Sequence, residues 1–198
     1  MEVYKFGGAS VKDAQGVINL AAIVASHEQK QLLIVVSAMG KMTNKLEELT
    51  HAYLQQADDV QVILEEVKAF HFNILNELFR DHNDVVYDDI ANAFVEVEWL
   101  LEEEPGGAAD YLYDQIVSIG EVVSTKIIAA YLKHIGCNVV WADARNYVHT
   151  DNTYREGRVN WEKSEQEIKV KLVPVLEQSI VVTQGFIGST SENFTTTL

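Results

Sequence analysis

The chain has 198 residues, 47% of them apolar, and its 30 acidic against 15 basic residues give a formal net charge of −15. An excess of acid is opposite to the basic surface that nucleic-acid-binding proteins need, so that class is excluded. The single cysteine, Cys137, excludes an internal disulfide and a thiolate metal cluster. No run of about 20 apolar residues is present. The chain runs from Met1 into a charged strand within five residues, so we expect no hydrophobic region of a signal peptide there. We therefore expect a cytoplasmic protein with no membrane partner.

The chain begins with a strand–helix–strand pattern. Residues 3–6 (VYKF) predict a first strand. Ser10 followed three residues later by Asp13 is close to a capping box, which predicts a helix from Val11 to about His27. The uninterrupted apolar run at 32–36 (LLIVV) is typical of a central parallel strand that is covered on both faces. Two parallel strands joined by a crossover helix form a βαβ unit.

The remainder alternates helices with two further strands. Apolar periodicity predicts helices over 45–54, 60–79, 90–101, 108–134 and 161–177, and strands over 138–142 and 180–183. The Pro105-Gly106-Gly107 segment separates the third of these helices from the fourth. No internal repeat or linker divides the chain, which indicates a single α/β domain.

Three of the predicted strands end in glycine-bearing loops: 7–10 (GGAS), 37–40 (SAMG) and 184–188 (QGFIG). Ligands of open α/β sheets bind beyond the carboxyl ends of the strands, and glycine lets the backbone approach them closely. Lys5 stands two residues before the first pair of glycines, so this edge of the sheet suits an anionic, phosphorylated small molecule. The alternative is that Lys5 is an edge lysine whose ammonium group extends into solvent.

The second loop also carries hydroxyl groups. Ser37 and Thr43 flank Gly40 and Lys41, and either hydroxyl can bond a ligand or cap the helix that follows. Capping is the favoured interpretation of Thr43 taken alone, because serine and threonine are common N-caps.

A narrow polar stripe crosses the predicted helix over 108–134. It contains Asp114, Ser118, Glu121 and Thr125, at helical spacing among apolar neighbours. Gly120 within the same helix costs up to about 1 kcal/mol relative to alanine, which a close approach by backbone or ligand can compensate. The carboxylates can bind an ammonium group or a lysine such as Lys5, or they can form a buried structural ion pair.

These segments together resemble the aspartate kinases of the amino-acid kinase family. The resembling segments are 5–10 (KFGGAS, with Ala9 in place of the family's usual Thr), 35–44 (VVSAMGKMTN), 118–121 (SIGE), 143–145 (DAR) with 150–151 (TD), 183–188 (TQGFIG) and 195–198 (TTTL). The first motif is shared with related amino-acid and nucleotide kinases. The later motifs, in this order, are far more specific.

The resemblance implies a three-layer αβα sandwich with a mainly parallel central sheet. It implies transfer of the γ-phosphoryl group of ATP to the β-carboxylate of L-aspartate, giving 4-phospho-L-aspartate on the route to lysine, threonine and methionine. Mg²⁺ would be held mainly through the ATP phosphates, with no metal ligand from the protein. By position, Lys5 is the implied catalytic residue and binds ATP phosphate with Gly7, Gly8 and Ser37. The implied aspartate-binding residues are Thr43, Glu121 and Phe186.

The resemblance breaks off after residue 198, where the family continues into a GRGGSD-type segment. We therefore expect residues 1–198 to be the N-terminal part of one catalytic domain, incomplete at its C-terminus. The nucleotide-binding C-terminal part and the ACT regulatory domains are absent, so the chain is expected to be inactive alone, and the full-length protein to be a homo-oligomer. The alternatives are a sister kinase acting on glutamate or acetylglutamate, and a non-catalytic regulatory or assembly module.

Overall fold

The computed structural model describes residues 1–26, 31–80 and 85–198, and within them a parallel sheet stands at the centre. Its four strands lie in the order β1-β2-β4-β3. Their bounds are β1 Glu2–Phe6, β2 Leu32–Val36, β3 Val139–Trp141 and β4 Ile180–Gln184. A separate antiparallel pair consists of β5 Ile187–Ser189 and β6 Thr195–Thr197. The parallel pairing of β1 with β2 across a helix confirms the predicted βαβ unit.

Helices fill the connections between the strands. Their bounds are α1 Ala14–Ala25, α2 Met42–Leu54, α3 Val60–Leu78, α4 Val85–Glu102, α5 Ala109–Val117, α6 Ile119–His134, α7 Trp161–Glu167 and α8 Val173–Leu176. A π-helical turn, Ile168–Leu172, joins α7 to α8, and 3₁₀ turns occupy Gly8–Val11 and Ala144–Asn146. The helices predicted to start at residues 45 and 90 begin earlier, at Met42 and Val85.

The two faces of the sheet pack against different sets of helices. The alternate residues Leu32, Ile34 and Val36 of β2 are wholly buried in one large core that includes apolar residues of α1 and α6. On the opposite face, Leu33 and Val181 pack in a smaller cluster with α8 and the π-helical turn. Because successive side chains of a strand point to opposite faces, β2 contributes to both cores. The three-layer αβα arrangement is thereby confirmed.

The start of α1 differs from the prediction. Residues 8–11 form a 3₁₀ turn, and the N-cap is Asp13, whose Oδ1 accepts a hydrogen bond from the Gly16 N–H at 2.8 Å. Ser10 is therefore not the cap, because the chain has already turned once before the α-helix begins. The predicted end at His27 falls outside the described residues, and α1 ends at Ala25.

The helix predicted over 108–134 is interrupted at Ser118. Its backbone dihedral angles remain helical (φ −59°, ψ −26°), so the interruption is local. The Glu121 N–H bonds to the Ser118 carbonyl, three residues back, at 3.1 Å. Such i→i+3 bonds tighten a helical turn. The segment therefore consists of two helices, α5 and α6, which meet at this residue.

The same segment has the composition of a membrane span. Among the described residues, Ala109–His134 is the one helical stretch that is long and apolar enough to cross a bilayer. In the fold, 78% of its most apolar window is buried inside the protein, as expected of a core helix. We therefore assign it to the core.

A buried histidine on α3 faces α4. The His71 side chain is inaccessible to solvent, and its Nδ1 lies 2.8 Å from the Val67 carbonyl oxygen. A carbonyl can only accept, so Nδ1 carries the proton, and Nε2 is left buried with no hydrogen-bond partner in the part of the chain that the structure describes. Burial lowers the pKa of His71 from 6.5 to about 4, although the hydrogen bond to the Val67 carbonyl acts in the opposite direction and raises the pKa.

We predict that this histidine makes the fold sensitive to acid. The unfolded chain binds a proton at His71 near pH 6.5, whereas the folded chain does so only near pH 4, so stability is present above pH 6.5 and is lost as the pH falls towards 4. The loss should be roughly 3 kcal/mol. Urea unfolding between pH 7 and pH 4 should show this loss in the wild type and a smaller one in His71→Leu. The exposed His51→Gln serves as the control and should behave as wild type; equal losses in all three proteins would contradict the prediction.

We predict that the 198-residue chain self-associates through its edge strand β1. Among the described residues β1 pairs with a strand on one side only, and its Val3 is 55% exposed. Open strand edges recruit other chains, and charge on such an edge opposes this. Sedimentation velocity should show association that rises with concentration and falls in Val3→Lys. Val62→Lys on α3, where Val62 is 60% exposed, is the control and should associate as wild type. A monomer at all concentrations would contradict the prediction.

Candidate active site

The first two glycine-bearing loops meet at the carboxyl ends of β1 and β2. Lys5 lies opposite Val35 in the register of these strands and is exposed. Just beyond, the Ser37 N–H donates to the Phe6 carbonyl at 3.1 Å and extends the pairing by one bond. The ammonium group of Lys5 therefore extends from the strand end at which both loops begin.

Close backbone contact between these loops requires glycine at position 8. A Cβ atom on Gly8 would lie 2.4 Å from the Ala38 carbonyl oxygen and 2.9 Å from that of Gly40. The Gly40 N–H in turn donates to the Gly8 carbonyl at 2.9 Å, and Gly40 has a φ of +56°, which favours glycine. By contrast, a Cβ atom on Gly7 would meet nothing within 4 Å. The two glycines thus have different roles.

The carboxylate of Glu121 links the second and third loops. Its Oε2 accepts hydrogen bonds from the N–H groups of Gly185 at 3.1 Å and Phe186 at 3.0 Å. The residue is 5% exposed. Burial raises the pKa of Glu121, while backbone N–H groups, including that of Ala38, and the positive charge of Lys5 oppose the rise. The predicted relation between Glu121 and Lys5 is thus electrostatic, and backbone groups supply the hydrogen bonds.

Two neighbours of Glu121 on α6 complete the contact with the second loop. A Cβ atom on Gly120 would lie 2.8 Å from Leu46 Cδ1 and 3.1 Å from Ala38 Cβ. The close approach expected at this glycine is therefore present, and it is made by protein side chains. The hydroxyl of Ser124, which is wholly buried, donates to the Ser37 carbonyl at 2.8 Å.

A third contact from α6 was not identified from the sequence. The Thr125 hydroxyl oxygen accepts from Gln184 Nε2 at 2.6 Å and from Trp141 Nε1 at 2.9 Å. Gln184 Oε1 accepts from the Ala144 N–H at 2.7 Å, which connects β4 to the segment after β3. The available signal was a glutamine immediately before Gly185, at a strand position where a large polar side chain needs a buried partner.

The structure thus brings six of the seven candidates to one edge of the sheet. These are Lys5, Gly7, Gly8, Ser37, Glu121 and Phe186. Thr43 is the second residue of α2 and is half-buried. The N-cap of α2 is Lys41, without a side-chain capping bond. The capping role favoured for Thr43 is therefore wrong, since the helix has begun before it.

The acidic groups of the described residues do not form a metal centre. No set of three or more His, Cys, Asp or Glu side chains there is close enough to hold an ion. A cavity of about 370 Å³ lies elsewhere, between α4 and α6 beside Trp141 and Arg145, and none of the seven candidates lines it.

Comparison with known proteins identifies the family. The profile of the amino acid kinase family matches residues 1–197, so the chain belongs to this family. Lysine-sensitive aspartokinase 3 of Escherichia coli is 30% identical over 99% of the chain, and bifunctional aspartokinase/homoserine dehydrogenase 1 of Arabidopsis thaliana is 28% identical over 99%.

Solved structures agree. E. coli aspartokinase III in complex with aspartate and ADP (R-state) superposes with a TM-score of 0.88 at 29% identity over 99% of this chain. The same enzyme with lysine and aspartate (T-state) gives a TM-score of 0.89. The chain spans 42% of the E. coli relative and 22% of the Arabidopsis relative. The fold is therefore that of the amino-acid kinases.

We predict that substitution by alanine destabilises the protein at Gly8 and not at Gly7. Gly8→Ala places a methyl group against two carbonyl oxygens of the second loop and should destabilise the fold by about 1–3 kcal/mol. Gly7→Ala meets open space in an extended conformation (φ −78°, ψ 164°) and should change stability by less than about 0.5 kcal/mol. Urea unfolding of both variants measures the difference. Equal effects would mean that the loops are not in contact as described.

Proposed function

We propose that the chain is part of an aspartate kinase, which transfers the γ-phosphoryl group of ATP to the β-carboxylate of L-aspartate. One observation carries the proposal: N–H groups from the ends of two strands, β2 and β4, converge on the buried Glu121 carboxylate beside the positive charge of Lys5, in a fold like that of an enzyme solved with aspartate and ADP. The product is 4-phospho-L-aspartate, an acyl phosphate that leads into amino-acid biosynthesis.

The phosphate side of the site rests on charge and backbone groups. Phosphoryl transfer depends on positioning and on stabilising the negative charge of the transition state. The ammonium of Lys5 supplies positive charge at the end of β1. Gly7, Gly8 and Ser37 lie beside it and let phosphate oxygens come close to the backbone. Mg²⁺ bound through the phosphates would neutralise further charge there.

The aspartate side of the site is assigned to Thr43, Glu121 and Phe186. Glu121 is oriented by backbone N–H groups of two loops. Its negative charge suits the α-ammonium of an amino acid. Phe186 is held against the same carboxylate through its N–H, and Thr43 offers a hydroxyl from the first turn of α2. Retention of these groups with Lys5 favours an enzyme over a non-catalytic module.

The wider properties follow from this function. We propose that residues 1–198 are the N-terminal part of one catalytic domain, that ATP binding is completed by further sequence, and that the complete protein is a cytoplasmic homo-oligomer. The relatives are more than twice as long as the matched region, which supports this division. The net charge of −15 argues against nucleic acid as a partner.

The test is aspartate-dependent release of ADP from MgATP by the complete product of the reading frame that encodes this chain. We expect activity in the complete product and none in the 198-residue chain alone. Lys5→Ala should lower the activity of the complete product by about 100-fold or more, because it removes the positive charge that stabilises the transferring phosphoryl group. Lys169→Ala, which removes an exposed lysine on the π-helical turn, should retain activity.

Two results would redirect the proposal. Phosphorylation of glutamate or acetylglutamate in competition with aspartate would assign a sister amino-acid kinase. A folded complete product with no activity on any of the three would indicate a regulatory or assembly module. Turnover by the 198-residue chain alone would show that its site needs no further sequence.

A further inference from the structure

A second buried carboxylate lies on α5, one helical turn before the interruption at Ser118. Asp114 is inaccessible to solvent. Its Oδ2 accepts from the N–H groups of Arg155 at 2.9 Å and Thr197 at 3.0 Å, and its Oδ1 accepts from the Thr197 hydroxyl at 2.7 Å. Three donors therefore converge on one carboxylate, as a buried carboxylate requires.

These bonds hold two segments in place. Arg155 has a φ of +67°, a conformation that is unfavourable for a residue other than glycine and that persists only where its surroundings hold it. Thr197 belongs to β6 and is 1% exposed. Its carbonyl accepts from the Gly157 N–H at 2.8 Å, so the two segments also bond to each other.

The strand that Asp114 holds returns to the third loop. The N–H of Leu198, the residue after Thr197, donates to the Phe186 carbonyl at 3.0 Å. The Phe186 N–H donates to Glu121. The adjoining helices α5 and α6 thus bind the hairpin of β5 and β6 at both ends: Glu121 of α6 bonds to Phe186 just before β5, and Asp114 of α5 bonds to Thr197 at the end of β6.

We propose that Asp114 is a positioning residue for the substrate pocket, acting through β6 on Phe186. The Asp114 carboxylate fixes the position of β6. The residue after β6, Leu198, then holds the carbonyl group of Phe186, while Glu121 holds the N–H group of Phe186. This inference rests on the proposed function only in naming the pocket's occupant. The position of β6 can be measured without any substrate.

The experiment compares three variants in the complete product of the reading frame. Asp114→Ala removes all three bonds, Thr197→Val removes the hydroxyl bond alone, and Asp114→Asn keeps the shape, since its amide can accept from both N–H groups and donate to the hydroxyl oxygen. Two variants on the same helix are controls. Asp110→Asn removes the exposed ion pair with the Arg155 side chain (3.7 Å) and leaves the three bonds of Asp114 intact. Ile116→Val removes one methylene group from the buried core and none of those bonds.

We expect Asp114→Ala to raise the KM for aspartate by about tenfold or more, because displacement of a pocket wall by about 1 Å is costly. The KM for ATP should stay nearly unchanged, Thr197→Val should be intermediate, and Asp114→Asn should recover most of the affinity. Ile116→Val should lower the melting temperature with no change in either KM. An unchanged KM for aspartate in Asp114→Ala, or an equal change for both substrates, would overturn the proposal.

Amide hydrogen exchange of the same proteins provides a readout that needs no activity. Asp114→Ala and Thr197→Val should speed exchange at Leu198 and Phe186 as well as at Thr197. Faster exchange at Thr197 and Arg155 alone would also overturn the proposal. If the wild type is inactive on aspartate, the proposed function fails while this measurement still decides the role of Asp114, and if Asp114→Ala does not fold, Thr197→Val and Asp114→Asn decide it.

Discussion

The arrangement depends on one interaction, in which the buried Glu121 carboxylate accepts hydrogen bonds from the backbone of the loop after β4. A carboxylate removed from water is costly unless donors surround it. Here those donors are N–H groups of Gly185, Phe186 and Ala38, which belong to the ends of two different strands. Satisfying the charge therefore places the first turn of α6 against both loops at once. The contact of Gly8 with Ala38 then adds the loop that follows β1.

The polar residues along α6 extend the same principle. Ser124 bonds to the second loop and Thr125 to Gln184, each through a side chain that is wholly buried. A buried polar network whose members are all bonded makes a site rigid, whereas one missing partner costs about 1–3 kcal/mol. The helix that forms the core of the protein is thus also the element that orients the candidate active site. Stability and the geometry of the site are coupled for this reason.

Local patterns predicted the elements well and their ends less well. The β-type runs, the βαβ unit and the value of Gly120 as a point of close approach were all correct, since each depends on residues near one another in the chain. The cap of α1 is Asp13 and not Ser10, and the helix over 108–134 divides at Ser118. Both errors arise where a tightened turn, visible only in backbone hydrogen bonds, competes with a regular helix.

By itself, then, the sequence determined the four strands of the parallel sheet, the glycines that follow three of them and a polar stripe on a core helix, because periodicity and glycine act over a few residues. It did not predict the β5–β6 pair, whose residues 187–188 fall in a predicted loop. It also determined the family through motifs whose order is specific. Only the tertiary structure decided what these groups touch: Glu121 bonds to a loop 64 residues away, and Asp114 to a strand 83 residues away. Such hydrogen bonds leave no local signal. The sequence shows which buried polar groups need a partner, but only the folded chain brings a particular partner within bonding distance.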